Sequence, residues 1–399
     1  MRRTISLRRT LVLSAYWLAI VLGTVWVLEF ASQRILNGKF ANSLTIFDSL
    51  APEAGADVLG VKTDFACVWT EPEFTVKVET DRFGFRKPSL EDPRAATVAV
   101  FGDSFTFGQG VQGEERYSSR LQELLPNEKV LNLSYPNGVC PLHFEVFFRA
   151  HPELKPRLAV VGLYLGNDLY SDPLETKVLS KDQEGPTRIA LAKREVYQGV
   201  LINRLPEGAN AAVRLLMWLR PKSATMRLVL SRINTSRFRD WVYGTTSVAA
   251  NSPNPPELDS FRGENIPSTF YESLDSLARL RSQLRKRNPR AELLVLIIPQ
   301  NFYVCRLPAN PHTLLSREQL PEMYEKRGGL LAAVRREFSR RGLLFLDPAE
   351  ELARLEQTGT KTYFEKDAHW TPAVHKLIGE LLARRIQEMS AEDSPSVQR

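Results

Sequence analysis

The sequence predicts an α/β fold in which a parallel sheet is covered by helices on both faces. The first observation is that short apolar runs alternate along the chain with longer helical segments. The second is that these runs are rich in β-branched and aliphatic residues, as expected of strands buried on both faces. The predicted strands of this sheet are 97–101, 130–133, 158–165, 293–298 and 343–346.

Helices are predicted between these strands, and two of them have recognisable starts. Thr269 and Glu272 form a capping box, and leucines follow at three-to-four spacing. Thr371 suits the N-cap and Pro372 the first helical position of the last helix. The predicted helices are 115–125, 269–287, 330–341 and 372–389, and a separate strand is predicted at 74–80.

The amino terminus has the composition of a membrane anchor. Four arginines, at positions 2, 3, 8 and 9, precede the uncharged stretch 10–28, which would be about 28 Å long as a helix. Basic residues stay on the cytoplasmic side, so the chain after Glu29 is predicted outside the cytoplasm, at a bacterial-type inner (plasma) membrane. A cleaved signal peptide is the alternative. A retained anchor is favoured because cleavable apolar regions are typically about 7–15 residues long.

The remaining chain divides into a leader, a main domain and a tail. The predicted units are the cytoplasmic tip and anchor at 1–32, a leader at 33–93 that wraps the main domain, the main domain at 94–390, and a disordered tail at 391–399. A helical insertion is predicted at 180–266, with apolar and basic segments that begin at 211 and 226. We interpret it as a lid or helical hairpin with a solvated basic face. A face that rests on anionic lipid or holds an acidic glycan is the alternative.

The composition excludes several classes of protein. The 43% hydrophobic content of the 399 residues is enough to fill a core. The net charge of +7 is spread over many helices and no nucleic-acid motif is present, so nucleic-acid binding is not favoured. Three cysteines, Cys67, Cys140 and Cys305, are too few for a disulfide scaffold and lack the paired spacing of a zinc site, although one bridge could form.

Polar clusters follow three of the predicted strands and precede the last helix. They are "GDS" at 102–104, "NLSYPNG" at 132–138, "YLGND" at 164–168 and "DAHW" at 367–370. The carboxyl ends of parallel strands meet at one edge of a sheet, where ligands bind. The clusters supply a hydroxyl, an imidazole, a carboxylate and an amide, which are the groups that acyl transfer through a covalent intermediate requires.

These residues can be given roles in such a reaction. Ser104 is the candidate nucleophile, His369 the general base and then acid, and Asp367 the carboxylate that orients His369. The backbone amides of Ser104 and Gly138 and the side chain of Asn167 are the candidate oxyanion donors. The expected product of the first step is an acyl-enzyme.

Together the stretches "FGDSFTFGQGV", "YLGND" and "DAHWTP" resemble the SGNH, or GDSL-type, hydrolase superfamily. The resemblance implies a flavodoxin-like three-layer α/β/α fold, and hydrolysis or transfer of ester-linked acyl groups, often acetyl on carbohydrate, without metal or organic cofactor. Only Ala368 separates the acid from the histidine, which resembles the alginate-acetylation branch. In the second block Asn137, rather than Gly138, occupies the position of the family's glycine, so Asn137 is an alternative donor.

Neighbouring residues are predicted to support the site. Asp103 and Asp168 are expected to bond loop backbone, and Trp370 either lines the acyl pocket or forms a wedge between helix and sheet. His375 is expected at the surface, and Cys140 to be a buried inert thiol near Gly138. Gly108 to Gly110 are expected to form a tight turn.

The function predicted from these observations is a membrane-anchored serine esterase that acts on acylated carbohydrate or lipid. One alternative is an O-acetyltransferase of an exported glycan. That activity needs a multi-pass partner, because a single spanning segment offers no path for acyl groups. The other alternative is a non-catalytic, membrane-tethered glycan-binding protein.

Overall fold

The computed structural model describes most of the main domain and the amino-terminal helix. The described residues are 7–37, 40–41, 63–71, 73–136, 140–166, 176–191, 194–197, 200–203, 215, 223, 225–226, 266, 268–305, 325–326, 328–365 and 367–392.

The main domain is built on a five-stranded parallel sheet. Its strands are β4 (Val98–Phe101), β5 (Val130–Asn132), β6 (Leu158–Tyr164), β11 (Glu292–Ile298) and β12 (Leu344–Leu346). Their order is β12-β11-β6-β4-β5, and every neighbouring pair is parallel. All side chains of β4, β5 and β6 are buried. The five predicted strands are therefore confirmed. Burial on both faces accounts for the apolar residues of β4 and β6, whereas the edge strand β12 is half-buried.

Helices cover both faces of this sheet. Along β4, Ala99 and Phe101 pack in one core cluster, and Val98 and Val100 pack in the other. The first face is covered by α4 (Pro141–Ala150), α5 (Ser268–Arg287) and α7 (Gly328–Arg340); the second is covered by α3 (Tyr117–Leu124), α8 (Ala349–Gln357) and α9 (Pro372–Glu392). The result is the predicted three-layer α/β/α arrangement.

The four predicted helices are confirmed, and one predicted helix start is wrong. α5 begins at Ser268, so Thr269 lies inside its first turn and is not the N-cap. α9 begins at Pro372 as predicted, but the hydroxyl of Thr371 donates to the Lys361 carbonyl instead of capping the helix. α4 and α8 were not predicted. The remaining helices are short: α2 (Ser104–Phe107) and α6 (Asn301–Val304), with single 3-10 turns at Pro93–Ala95 and Gly113–Glu115.

The leader contributes a small separate sheet. β2 (Ala66–Glu71) and β3 (Phe74–Glu79) form an antiparallel hairpin, and β1 (Phe40–Ala41) pairs in parallel with β2. Trp69 and Val78 of this hairpin are buried in the same core cluster as one face of the main sheet. The hairpin is therefore packed on the main domain.

Two buried arginines tie the leader to the segment that follows β4. The Arg86 guanidinium donates to the carbonyls of Phe107, Gly108 and Val111 at 2.7–2.8 Å. Arg116 in turn donates to the Arg86 carbonyl at 3.0 Å. Burial lowers the pKa of Arg86 to about 10, so it remains a cation at neutral pH. Hydrogen bonds from a charged donor are stronger than neutral ones, each contributing about 1.5–3 kcal/mol.

The insertion begins with strands that the sequence analysis did not predict. β7 (Thr176–Asp182) pairs with β8 (Gly185–Leu191), and β9 (Arg194–Tyr197) pairs with β10 (Val200–Asn203), both antiparallel. The predicted helical segments that begin at 211 and 226 lie almost entirely outside the described residues. The tail at 393–399, Asn137–Val139 and Asn167 to Tyr170 also lie outside them.

The amino-terminal helix α1 (Leu7–Asn37) contains a stretch long and apolar enough to cross a membrane. That stretch, Val12–Ser32, has 21 residues and a mean hydropathy of 1.8. Its large apolar side chains are exposed around the helix. Near its end, the Glu29 carboxylate accepts a hydrogen bond from the hydroxyl of Ser223 at 2.7 Å.

Candidate active site

Ser104 lies just beyond the carboxyl end of β4, which pairs with β5 on one side and β6 on the other. Asp103 caps the short helix α2, because its Oδ1 accepts from the Phe105 amide at 3.0 Å. Gly102 allows this sharp turn, since a Cβ at that position would lie 1.9 Å from Thr106 Oγ1. Asp103 thus bonds the backbone of the helix that follows it, where a bond to loop backbone was expected. Ser104 is the first residue of that helix, at the edge of the sheet where open α/β folds bind ligands.

Asp367 and His369 lie in the loop that leads into α9. The loop is closed by an isolated bridge between Tyr363 and Trp370 and by the Phe364 amide, which donates to the His369 carbonyl at 2.9 Å. Between the two polar residues, Ala368 has a φ of 64°, a conformation uncommon for a residue with a side chain. This left-handed turn brings the carboxylate back toward the imidazole in spite of the single intervening residue.

The three predicted residues form one hydrogen-bonded chain. His369 Nε2 lies 2.8 Å from Ser104 Oγ, and His369 Nδ1 lies 2.5 Å from Asp367 Oδ1. His369 is 8% exposed. A serine hydroxyl, an imidazole and a carboxylate in this order can generate an alkoxide nucleophile, because the imidazole accepts the hydroxyl proton and the carboxylate stabilises the resulting imidazolium.

The electrostatic surroundings favour the protonated form of His369. Burial by itself lowers the pKa of His369, but the charge and hydrogen bond of Asp367 outweigh it, with a further contribution from the charge of Asp103. The net result is a pKa above the usual value of about 6.5. A base with a raised pKa is a stronger proton acceptor once it is neutral.

Two further residues hold the acid and were not identified from the sequence. Gln109 Nε2 donates to Asp367 Oδ2 at 2.8 Å. The Glu73 carboxylate accepts from the backbone amides of Glu365 at 2.7 Å and of Asp367 at 3.0 Å. The only sequence signal for Gln109 was its position between two glycines in the predicted tight turn. Nothing in the sequence around Glu73 indicated its contact with the acid loop.

Aromatic side chains form the wall behind His369. The Phe105 ring lies 4.5 Å from the His369 ring, centroid to centroid. Trp370 is fully buried and packs edge-on against Phe105 and against Tyr117 of α3. Trp370 therefore packs between the first turn of α2 and α3, and both predictions for its role in the site stay predictions.

Some predicted site residues lie outside the described part of the chain. These are Asn137, Gly138, Asn167 and Asp168, so the second and third oxyanion donors stay predictions. Cys140 is described. It is half-buried at the start of α4, and its Sγ lies 3.3 Å from His143 Nδ1. All three cysteines are free thiols, and Cys140 is more exposed than expected of a buried inert thiol.

His375 was predicted at the surface, and that prediction is wrong. It is 1% exposed, its Nδ1 accepts from the Tyr117 amide at 3.2 Å, and its ring stacks on that of Tyr117. The reason is that α9 packs along α3, which buries the side of the first turn that carries His375. Burial and the positive charges of Arg86 and Arg116 lower the pKa of His375 to about 3.

Among the described residues, no group of three histidine, cysteine or acidic side chains is placed to hold a metal ion. The polar side-chain groups at the site are a hydroxyl, an imidazole, a carboxylate and an amide. Such groups suit proton transfer and nucleophilic attack.

The comparisons with known proteins give distant structural neighbours. No protein-family model and no curated protein matches the chain. Solved structures that resemble it include TesA, with 16% identity, a TM-score of 0.33, and 71% of this chain and 94% of that one covered. A member of the lipolytic protein G-D-S-L family from Veillonella parvula has 9% identity and a TM-score of 0.33, with the same coverages. A carbohydrate acetylesterase family member from Sinorhizobium meliloti has 14% identity and a TM-score of 0.31, with 74% and 98% covered. At these values, no activity of a neighbour transfers to this chain.

The burial of neutral His375 predicts a pH-dependent contribution to stability. The unfolded chain binds a proton at this residue below about pH 6.5 and the folded chain does not, so this contribution is lost as pH falls. In His375→Asn, which keeps an acceptor for the Tyr117 amide, that loss is absent. The stability advantage of the wild type should therefore shrink by about 1.4 kcal/mol per pH unit below pH 6.

Urea unfolding of both proteins between pH 4.5 and 7.5 measures this difference. His151→Asn is the matched control, because the side chain of His151 is partly exposed and bonds Glu153. A constant difference between wild type and His375→Asn across the range would contradict the prediction.

Proposed function

We propose that this protein is a membrane-anchored, extracytoplasmic serine esterase that removes ester-linked acyl groups. The observation that carries the proposal is the hydrogen-bonded chain from Ser104 through His369 to Asp367. Its two hydrogen bonds, 2.8 Å and 2.5 Å long, have the order and polarity that nucleophilic catalysis requires.

In the first half of the reaction, Ser104 Oγ attacks the acyl carbonyl carbon and its proton moves to His369 Nε2. The carbonyl oxygen takes up the electron pair of the broken π bond and becomes an oxyanion. When the tetrahedral intermediate collapses, the bond to the alcohol breaks and His369 donates its proton to the leaving oxygen. The acyl group then remains on Ser104 as an ester.

In the second half, His369 removes a proton from water, and the resulting hydroxide attacks the acyl-enzyme. Collapse of the second intermediate breaks the bond to Ser104 Oγ, which regains its proton from His369, and the carboxylic acid leaves. The oxyanion in both halves is bound by the Ser104 amide, with Gly138 and Asn167 as the further donors. Ser104 is the first residue of α2, where amides have no acceptor inside the helix. Removing one such donor costs about 3 kcal/mol.

The amino terminus supports the proposed compartment. The apolar stretch of α1 is long enough to span a bilayer, and the arginines at positions 2, 3, 8 and 9 precede it. Because positive residues tend to stay in the cytoplasm, this pattern supports an extracytoplasmic main domain. The resemblance of the sequence motifs to those of the SGNH superfamily supports an acyl group, acetyl in our proposal, carried by a polysaccharide or glycolipid.

The proposal predicts covalent labelling of Ser104 by a fluorophosphonate probe. The full-length protein in detergent should be labelled and should hydrolyse short nitrophenyl esters, because the alkoxide attacks phosphorus as it attacks a carbonyl. Ser104→Ala should abolish labelling and lower turnover by at least about 10³-fold. Ser390→Ala, at the far end of α9, serves as the control. Equal labelling of wild type and Ser104→Ala would contradict the proposal, as would an unlabelled and inactive wild type.

The raised pKa of His369 predicts the pH dependence of hydrolysis. His369 accepts a proton only when neutral, so kcat/KM should fall as pH decreases through its pKa, with an apparent value above about 6.5. Asp367→Asn removes the charge that raises this pKa while burial still lowers it. The midpoint should then move to lower pH, and the plateau should drop about 10⁴-fold.

A pH profile of kcat/KM for both proteins tests this expectation. Asp275→Asn, which removes an exposed carboxylate paired with Arg341, is the matched control and should keep the wild-type midpoint. A midpoint in Asp367→Asn equal to or above that of the wild type would show that Asp367 does not act on His369.

A retained anchor predicts that the protein stays in the membrane at its full mass. The chain should resist carbonate extraction and should show an intact mass of 45.2 kDa. Protease added to spheroplasts should digest the main domain, because it faces outward. A mature protein lacking its first 30 or so residues would instead identify α1 as a cleaved signal peptide.

A further inference from the structure

The two oxygens of Asp367 have different partners. Oδ1 bonds His369, and Oδ2 accepts from Gln109 Nε2 at 2.8 Å. We infer that Gln109 is a positioning residue of the proposed triad, which fixes the orientation of the Asp367 carboxylate and ties it to the backbone of the nucleophile. This inference rests on the proposed esterase function and adds a fourth residue to its site.

Gln109 is bound to the nucleophile segment through its own backbone. The Gln109 amide donates to the Ser104 carbonyl at 3.0 Å. The residue therefore contacts both ends of the proposed triad, Ser104 through its main chain and Asp367 through its side chain. A single residue that contacts both ends limits their relative movement, and His369 has to fit between them.

The turn that carries Gln109 has little freedom. Gly108 and Gly110 have φ values of 81° and 86°, which strongly favour glycine. The Arg86 guanidinium donates to carbonyls on both sides of the turn, at Gly108 and Val111. Gln109 itself is 6% exposed. Its amide group is therefore held in place before any substrate binds.

The turn also lies directly against the loop that carries the acid. A Cβ at Gly110 would lie 2.5 Å from the Phe364 ring and 3.1 Å from the Phe74 ring. The two rings pack on each other with centroids 5.3 Å apart. Close packing on this side leaves no space for the Gly108–Gly110 turn and the acid loop to shift relative to each other without a steric clash.

Backbone and side chain of Asp367 are held by different groups. The Glu73 carboxylate accepts from the Asp367 amide and so holds the main chain. Gln109 donates to Oδ2 of the carboxyl group and so favours one rotation about χ2. Because only Ala368 separates acid and histidine, a small rotation of the carboxyl group would move Oδ1 out of reach of His369 Nδ1.

A neutral donor suits this position. The Glu73 carboxylate bonds the Asp367 amide, and the Arg86 guanidinium bonds carbonyls on and next to the turn that carries Gln109. An amide orients the carboxylate without adding a positive charge, which would repel the imidazolium that forms on His369 during the reaction. Glutamine can therefore fix the geometry while Asp367 keeps its full charge for His369.

The test is substitution of Gln109 by methionine, which has a similar length but no donor. In full-length protein, Gln109→Met should lower kcat for nitrophenyl acetate by about 10- to 100-fold, a range typical of residues that orient a catalytic group. KM should be unchanged, because Gln109 bonds only the protein. Gln112→Met is the matched control: Gln112 accepts from the Lys77 amide of the hairpin and does not bond Asp367.

Gln109→Glu gives a pH signature that packing alone would not produce. When its carboxyl group is protonated, the O–H can donate to Asp367 Oδ2 as the amide does. When both groups are ionised they repel, and two adjacent carboxylates lose their shared proton well above the usual pKa of about 4.3. Activity relative to wild type should therefore be highest at acidic pH and fall as pH rises. The corresponding ratio for Gln109→Met should not change with pH.

The outcomes separate this inference from the proposed function. If the wild type is neither labelled by fluorophosphonate nor active, the proposed function fails. If the wild type is active, the positioning role is wrong when Gln109→Met and Gln112→Met have the same kcat. It is also wrong when the activities of Gln109→Glu and Gln109→Met, each relative to wild type, depend on pH in the same way. Should Gln109→Met fail to fold, as judged by its thermal unfolding, the pH dependence of Gln109→Glu decides alone.

Discussion

The arrangement of the site depends on one constraint: His369 takes part in two hydrogen bonds in opposite directions. An imidazole ring is rigid, so the positions of its two nitrogens determine where both partners must lie. One partner is a serine 265 positions earlier in the chain and the other a carboxylate in the same loop. Productive geometry requires such groups to be held within about 0.5 Å, so the loops on both sides of the ring must be rigid. Much of the surrounding structure can be understood as meeting this requirement.

On the serine side, rigidity comes from the sheet. β4 is buried on both faces and hydrogen-bonded on both edges, and Ser104 follows it by three residues. On the histidine side, rigidity comes from packing. Trp370 is fully buried next to His369, and α9 begins immediately afterwards and packs along α3. Because protein interiors are close-packed, a side chain fixed at such a junction has few alternative positions. The imidazole is thus oriented by its covalent neighbour as well as by Asp367.

A feature of the fold or of the site could be predicted when a local pattern in the sequence indicated it. The strands were predicted because burial on both faces makes each residue of β4 or β6 apolar. Ser104 was predicted because it follows a strand, and Asp367 and His369 because they stand together just before the last helix. Gln109 was not predicted, because its contact with Asp367 joins residues 258 positions apart and glutamine has no distinctive pattern.

The burial of His375 was missed for a related reason. Polar residues are assigned to the surface by default, and only the packing of α9 on α3 overrides this. The strands β7 to β10, between 176 and 203, were missed because the apolar and basic segments that follow them favoured a helical insertion.

The leader links the amino-terminal helix to the acid loop. β1 begins three residues after α1 ends and pairs with β2, and β2 continues into the hairpin whose turn carries Glu73. The Glu73 carboxylate binds the amides of Glu365 and Asp367, and Phe74 next to it packs on Phe364. Hydrogen bonds to a carboxylate are among the stronger contacts in a protein. Moving the hairpin would therefore disturb the Asp367 backbone before it disturbed Ser104, which is held by the main sheet. The hairpin of β2 and β3 is in this way a structural part of the site, which gives a physical reason for its packing on the main domain.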